Sequence, residues 1–423
     1  MKDTNAALPP EARKTLIFLV AIYSINFVDR QILSVLIEPI KADLGLSDTE
    51  LGLLTGFAFA LFYATLGVPI GRLADRANRI SIISAAAGIW SVMTAISGLA
   101  QNFWQLGLAR IGVGIGEAGC TPPAHSIIAD LYPEQKRASA MAIYQLGIPI
   151  GSVAGLMVGG WINEIWGWRI AFLVVGLPGI LLAILLKAFV KDPPRTLAAN
   201  GEPSDAGPSF RESLDRLWQI KSYRHLLAGL SLAGLSGYGV GTWFPAFLMR
   251  GYDIGSGEAG SWLGPIGLVG GIAGTLIGGF ATDRLSLRDK RWYVWFPGAA
   301  MLIGLPAFAW ICLTQEFAIV ISLLIFPNLF GAVHTGPSFA MVQSLSPVRM
   351  RAMASAIALL VTNLIGLGLG PLVIGSLSQT LEPSFGDRSL GYAMLVVIPL
   401  NCWAAAHYFL ASRTLTQELE AIG

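Results

Sequence analysis

Four ionisable residues set inside apolar runs are where this sequence offers chemistry. Asp29 and Arg30 adjoin in Asn26-Phe27-Val28-Asp29-Arg30-Gln31, and Arg110 and Glu117 bracket the run Ile-Gly-Val-Gly-Ile-Gly. If a helix starts near Thr15, a rise of about 1.5 Å per residue puts Asp29 about 21 Å from that end, near the middle of a bilayer about 30 Å thick. Each charge at that depth costs about 2.5 to 3.5 kcal/mol on insertion scales, so such residues mark a substrate site, an ion site or a proton relay; the alternative is a structural ion pair that locks neighbouring helices. Arg110, Gly114, Glu117 and Thr121 follow at intervals of four, three and four, which puts them on one helical face. Measured from the cytoplasmic side, Glu117 lies at about 16 Å, Asp29 at about 21 Å, Arg30 at about 22 Å and Arg110 at about 27 Å. Two acids and two bases thus share one layer without net charge. Its carboxylates can take up protons, and its guanidinium groups can hold a phosphate or carboxylate through two parallel hydrogen bonds.

The elements that position these residues must be membrane helices. Of 423 residues 54% are hydrophobic and 13% charged, where soluble domains carry about 25% charged residues. Mean hydropathy is +0.63, and the 49 glycines suit helices packed in lipid, where small residues let backbones approach. The expected class is an all-α polytopic membrane protein. No basic run interleaved with aromatic residues points to nucleic acid. The sequence has no His-Glu-x-x-His, no Gly-x-Ser-x-Gly and no phosphate loop, so no enzyme and no cofactor are expected. Nor does it carry a carbonyl-rich filter sequence of a channel. Cys120, Cys312 and Cys402 lie in apolar runs without metal-ligand spacing and are expected to be buried thiols.

Hydropathy predicts twelve spans, over 15–38, 50–72, 80–100, 104–130, 137–163, 168–190, 223–249, 258–281, 292–313, 316–342, 351–380 and 389–412. The first is too long and too charged at its centre for a cleavable signal peptide, so insertion starts there. A polar linker over 191–222, opening with Asp192-Pro193-Pro194, separates an N-terminal six-helix bundle (1–190) from a C-terminal one (223–423). In its second part Phe210, Leu214, Leu217 and Ile220, set among Arg211, Asp215, Arg216 and Lys221, predict an amphipathic helix lying on the membrane surface. With the N-terminus inside, the only basic residues in outer segments are Lys41, Arg169, Arg250 and Arg388, so both termini are expected to be cytoplasmic.

The halves repeat. Glu50-x-Gly52, Gly56, Gly71 and Asp75-Arg76 recur 208 residues later as Glu258-x-Gly260, Gly264, Gly279 and Asp283-Arg284. Thr121-x-Pro123, Pro133 and Arg137-Ala138-x-Ala140 recur 214 residues later as Thr335-x-Pro337, Pro347 and Arg351-Ala352-x-Ala354. Six plus six helices in two parallel repeats is a transporter architecture. In span 5, Gly147-x-Pro149-x-Gly151-x3-Gly155-x3-Gly159-Gly160 is a small-residue stripe that helix packing alone accounts for. Gly366-x-Gly368-x-Gly370-Pro371 in span 11 is similar, and both are candidate bending points. Of the histidines well inside spans, His125 and His334, the second is the better candidate for a substrate contact, because it falls in the broken stretch His334-Thr335-Gly336-Pro337. Tyr63, Tyr144, Trp243 and Phe247 are candidate cavity walls, although aromatic residues in such a chain usually serve packing.

Gly71-Arg72-Leu73-Ala74-Asp75-Arg76-Ala77-Asn78-Arg79 resembles the signature loop of the major facilitator superfamily, departing from it at Asn78, where glycine is usual, and at Ile80, where a second base is usual. The resemblance implies a cytoplasmic gate involving Asp75, Arg76 and Arg79 and, in the repeat, Asp283 and Arg284. Asp29-Arg30, the run from Arg110 to Gly119, and Pro133-Glu-Gln-Lys-Arg137-Ala-Ser-Ala together resemble the Spinster family, a branch of that superfamily. This implies the superfamily fold of twelve transmembrane helices in two pseudo-symmetric bundles, and proton-coupled transport of an amphipathic lipid, such as sphingosine-1-phosphate or a lysophospholipid, by alternating access. Asp29 and Glu117 would couple protons, and Arg30, Arg110, Glu117, Thr121, Tyr63 and His334 would bind substrate. The expected setting is a monomer in a bacterial inner membrane, with protons and membrane lipids as partners. A soluble organic anion such as a sugar acid is the competing substrate. Chain physics by itself stops at a secondary transporter with a charged central site.

Overall fold

The computed structural model describes residues 10–74, 76–195, 210–347 and 350–422, and these are helical with no strand among them. The first half holds α1 (Pro10–Val35), α2 (Ile37–Leu44), α3 (Asp48–Gly52), α4 (Ala58–Ala74), α5 (Arg79–Ser97), α6 (Phe103–Glu117), α7 (Thr121–Leu131), α8 (Glu134–Gln145), α9 (Gly147–Trp166) and α10 (Trp168–Phe189). The rest holds α11 (Phe210–Gln219), α12 (Lys221–Tyr252), α13 (Ser256–Ser286), α14 (Trp292–Ile303), α15 (Leu305–Leu313), α16 (Phe317–Leu323), α17 (Ile325–Ala332) and α18 (Thr335–Ser344). It ends with α19 (Arg351–Thr362), α20 (Gly370–Phe385), α21 (Ser389–Met394) and α22 (Val397–Ile422). Two π-helical segments, Leu53–Phe57 and Asn363–Leu369, interrupt spans 2 and 11.

Local sequence explains where the important helices begin and stop. Ser47 and Glu50 form a reciprocal capping box at the start of α3, and the Asn78 and Asn102 side chains accept the Ser81 and Gln105 N–H groups at 2.8 and 3.0 Å to open α5 and α6. Span 4 is split. Pro122 and Pro123 stand in the first turn of α7 and supply no N–H, so α6 closes at Glu117 and a turn over 118–120 separates the two pieces. Nine helical runs among the described residues are long and apolar enough to cross a membrane, and the last, Met353–Ile422, contains two of the predicted spans.

By compactness the chain divides into two units. Unit 1 takes Met1–Leu46, Ala58–Gly201 and Gly255–Ser261; unit 2 takes Ser47–Phe57, Glu202–Ile254 and Trp262–Gly423. Each unit therefore includes one short stretch from the other half of the sequence, and these two stretches begin 208 residues apart, the offset of the repeat.

In unit 1 the glycine stripe of α9 packs on α1. A Cβ added at Gly155 would stand 2.8 Å from the Val28 carbonyl oxygen, and one at Gly159 would stand 2.9 Å from Ile32 Cγ1. Backbone-to-backbone approach of this kind is the role that small residues play where lipid offers no hydrophobic drive between helices. It fixes the rotation of α1, and hence where Asp29 and Arg30 point. Ser256 and Gly257 belong to the same unit, with the Ser256 hydroxyl donating to the Gly160 carbonyl at 2.8 Å and the Gly257 N–H donating to Glu164 at 2.8 Å.

In unit 2 the segment 47–57 lies against α20 and the second π-helix, where a Cβ at Gly56 would meet the Gly368 carbonyl oxygen at 2.6 Å. Asp48, buried, accepts two hydrogen bonds from Arg250 at 2.7 Å each and a third from the Ser378 hydroxyl at 2.7 Å. The helix expected in the linker forms as α11, in which Ser213 and Leu217 are buried and Leu217 joins a core with Tyr223, Leu226 and Ala354. The expectation of three buried thiols needs correction. Of the thiols, Cys120 and Cys312 are buried but Cys402 is exposed, because a helix in lipid is apolar on its outer face too and an apolar run does not reveal which side is covered.

Candidate functional site

The charged layer assembles wholly within unit 1. From α1 come Asn26, Asp29 and Arg30, from α4 Phe59 and Tyr63, from α5 Thr94, from α6 Arg110 and Glu117, and from α7 Thr121. Gly114 makes this possible: a Cβ there would stand 2.7 Å from the Phe59 carbonyl oxygen, so only glycine lets α6 come close enough to α4 for Arg110 and Phe59 to meet.

Arg30 is held by one carboxylate and three aromatic rings. Its Nε donates to Glu117 Oε2 at 2.6 Å, and its guanidinium carbon lies 5.0, 5.0 and 4.6 Å from the ring centres of Phe27, Phe59 and Tyr63. Three π faces and a carboxylate hold the cation where water is scarce, which strengthens each attraction. Asp29, adjacent in sequence, takes no part in that pair. Successive helical residues point about 100° apart, and Asp29 turns instead to α5, where Thr94 Oγ1 donates to Oδ2 at 3.0 Å. Its Oδ1 is buried and has no hydrogen-bond partner among the described residues.

Arg110 is the other unsettled group. It is 2% exposed, its guanidinium carbon lies 5.9 Å from the Phe59 ring centre, and neither Nε nor Nη1 has a hydrogen-bond partner among the described residues. The charges of Glu117, Asp29 and Arg30 all act on it. Glu117, 1% exposed, likewise keeps one oxygen, Oε1, without a partner among the described residues. The site therefore contains one completed ion pair, a buried cation with two donors to offer, and two carboxylates each with an oxygen to spare. Chemically this set can hold an anion at Arg110 and a proton at Asp29 or Glu117.

Of the other predicted site residues, Tyr63 forms a wall of the Arg30 cage and stacks on Phe59 at 5.4 Å. Thr121 opens α7 and faces Tyr23 and Tyr144. His334 belongs to unit 2, at the break between α17 and α18, with Nδ1 2.7 Å from the Gly331 carbonyl oxygen. Asp75 lies outside the described residues. Arg76 is exposed at the end of span 2, whereas Arg79 is 1% exposed and bound inside unit 1. Its guanidinium donates to Asp192 at 2.9 Å, to Ser126 at 2.9 Å, to the Pro193 carbonyl at 2.7 Å and to Asp130, so it ties α5 to the ends of α7 and α10. Asp283 accepts from the Tyr293 hydroxyl at 2.9 Å, and Arg284 is exposed beside it on α13. Sequence reasoning missed Thr94 and Phe59. For Thr94 a signal existed, since Trp90, Ser91, Thr94 and Ser97 make a polar-capable stripe at helical spacing in an otherwise apolar span.

A family model for the Major Facilitator Superfamily matches residues 19–415. A "MFS-type efflux pump" of Mycolicibacterium smegmatis is 34% identical over 408 residues, covering 95% of this chain and 92% of that protein. The "Hexuronate transporter" of Bacillus subtilis is 26% identical over 332 residues, covering 75% of this chain and 78% of its own. Among solved structures, a bacterial homologue of the human lysosomal transporter Spinster, inward-facing and unoccupied, superposes with a TM-score of 0.89 at 32% identity, covering 97% of this chain and 99% of that one. The chain belongs to the Major Facilitator Superfamily, and the resemblance to its Spinster branch is borne out. It is a multi-pass membrane transporter, not an enzyme.

Proposed function

We propose that this member of the superfamily is a proton-coupled carrier of an amphipathic lipid with an anionic or zwitterionic headgroup, working by alternating access. The observation that carries the reading is Arg110: a charge 2% exposed, with two donors unpartnered among the described residues. An unsatisfied buried donor costs about 1 to 3 kcal/mol, more when charged, and a phosphate or carboxylate arriving there recovers that cost. In this reading the anion binds Arg110, Arg30 and Glu117 keep the site closed on its aromatic side, and Asp29 is the main proton carrier with Glu117 its partner. An anion on Arg110 removes a stabilising positive charge from Asp29, which then takes up a proton. That links the two binding events without contact between the ligands. Tyr63, Thr121 and His334 complete the substrate contacts, and Asp75, Arg76, Arg79, Asp283 and Arg284 serve the cytoplasmic gate. The protein acts as a monomer in a bacterial inner membrane with both termini in the cytoplasm.

A second reading, uptake of a soluble organic anion, is favoured by the likeness to a hexuronate transporter; a carboxylate satisfies Arg110 as well as a phosphate does. Counterflow in proteoliposomes with 1-oleoyl-lysophosphatidate and with D-glucuronate, each with and without an imposed pH gradient, separates the two. Exchange of the lysolipid accelerated by the gradient supports the first reading. Exchange of glucuronate alone transfers the site to the second, and indifference of both to the gradient removes the proton from the mechanism.

A further inference from the structure

Beyond the acids of the central layer, unit 1 contains Tyr144 and His125, two polar groups that the substrate reading leaves unused. Thr121 opens α7 just past the break that follows Glu117, and His125 stands four residues further on, so Thr121 and His125 share one face of α7. The Tyr144 ring from α8 meets the His125 ring edge-on, with centres 5.5 Å apart at 80°, and stacks on Tyr23 from α1 at 4.3 Å and 11°. The Tyr144 hydroxyl is buried beside Thr121 and Cys120 without completing a hydrogen bond to either, or to any other described residue. His125 Nε2 is likewise buried and has no hydrogen-bond partner among the described residues, although the residue as a whole is partly exposed. One ring nitrogen is thus buried without a partner, on a residue that is partly exposed.

Packing alone gives no reason for this arrangement. A histidine and a tyrosine used only as spacers are better replaced by phenylalanine or leucine, which leave no polar atom stranded in the interior at the cost of its desolvation. Polar gaps of this kind ordinarily hold water that bridges the stranded atoms. From Glu117 the groups run through Thr121 and His125 toward the end of the span that carries Lys136 and Arg137.

We propose that Thr121, Tyr144 and His125 form the path by which protons pass between the Glu117 carboxyl group and that end of span 4, with His125 as the group that takes up and gives off the proton at the path's outer end. The inference rests on the proton-coupled reading given above. In one passage the Glu117 carboxylic acid gives its proton to a hydroxyl or bridging water, each member of the chain accepts one proton and donates another, and neutral His125 accepts one at Nε2. The imidazolium then releases a proton to solvent. Glu117 ends as a carboxylate paired with Arg30, His125 ends neutral, and one proton has crossed.

The test uses the full-length protein in proteoliposomes with 1-oleoyl-lysophosphatidate and D-glucuronate as probes and a pH-sensitive dye inside. His125→Gln and Tyr144→Phe, the second of which keeps the stack on Tyr23, should each slow gradient-driven uptake and proton movement by at least about tenfold, the low end of what a positioned acid-base group contributes. Counterflow, which needs no net proton transfer, should stay within about twofold of wild type, and added imidazole should restore proton movement to His125→Ala. Gradient-driven uptake unchanged in all three variants overturns the path. So does equal loss of uptake and counterflow without imidazole rescue, which marks a merely structural role. If the wild-type protein itself ignores the gradient with both probes, the proton-coupled reading fails first and the path falls with it.

Discussion

Arg110 and Arg30 lie in the same layer, yet the structure gives them opposite energetic situations, and replacing each by methionine should separate them. Arg110 is buried with two donors unpartnered among the described residues, so in the substrate-free protein its charge is a net cost. Exchanging a buried charged group whose donors lack hydrogen-bond partners for an apolar side chain of similar volume is neutral or stabilising, by about 1 to 3 kcal/mol. Arg30 is bound to Glu117 at 2.6 Å, and Glu117 is fully buried at its side chain. Removing Arg30 strands that carboxylate, at a cost of about 3 to 5 kcal/mol. Thermal unfolding in detergent should therefore show Arg110→Met melting at or above the wild-type temperature and Arg30→Met well below it. Binding should sort differently. An anion held by two charge-assisted hydrogen bonds loses about 1.5 to 3 kcal/mol with each, so Arg110→Lys, which restores one of them, should weaken lysophosphatidate binding by about tenfold or more, and Arg110→Met by a further factor of similar size. Isothermal titration on purified protein measures both. An Arg110→Met variant that is strongly destabilised yet binds with wild-type affinity would refute the reasoning, because Arg110 would then be a structural partner of Asp29 or Glu117 rather than an anion receptor.

Asp29→Asn should abolish acceleration of uptake by a pH gradient while counterflow persists; accumulation driven by the gradient in both Asp29→Asn and Glu117→Gln would remove these acids from the coupling. Asp48→Asn breaks the buried two-bond pair with Arg250 and should cost about 3 to 5 kcal/mol in thermal stability; a loss below about 1 kcal/mol would show the pair to be well solvated. Gly155→Leu forces a side chain into the 2.8 Å approach to Val28, and overpacking of about 1 to 3 kcal/mol should appear as a lower melting temperature together with lost transport. Asp43, outside the spans, is held below the usual carboxylate range by its hydrogen bond to Arg169, with Trp168 Nε1 adding another at 3.1 Å. The stability it contributes is present above the ordinary carboxylate value and disappears as pH falls through the lowered one, so Asp43→Asn should melt earlier than wild type at neutral pH and converge with it in acid.

Much of the molecule is legible in one dimension. The apolar runs, the 208-residue repeat and the bias of Lys and Arg toward one set of loops follow from rules that act on each segment separately: a span must be apolar to sit in lipid, and a charge inside it must have a use. The shared face of Arg110, Gly114 and Glu117 is equally local, fixed by 3.6 residues per turn, whereas Thr121 stands beyond the break at 118–120. The glycine stripe of span 5 is readable as a packing surface before its partner is known, because only a close neighbour explains side chains that small.

What the sequence leaves open is which of these surfaces face one another. Asp29 and Arg30 adjoin in the chain, and an acid beside a base invites pairing, yet Arg30 reaches across to Glu117, 87 positions away, and Asp29 turns to Thr94. A helix sends adjacent side chains in different directions, so each partner is chosen by whichever helix packs on that side, here α6 for one and α5 for the other. The same holds for the unit boundary. Ser47–Phe57 is continuous in sequence with span 2, but Gly52 fits the backbone of α20, Gly56 fits that of the second π-helix and Asp48 fits Arg250, and those contacts assign the segment to unit 2. Hydropathy is a property of a segment and pairing is a property of two; the chain fixes the first residue by residue, and only the packed helices decide the second.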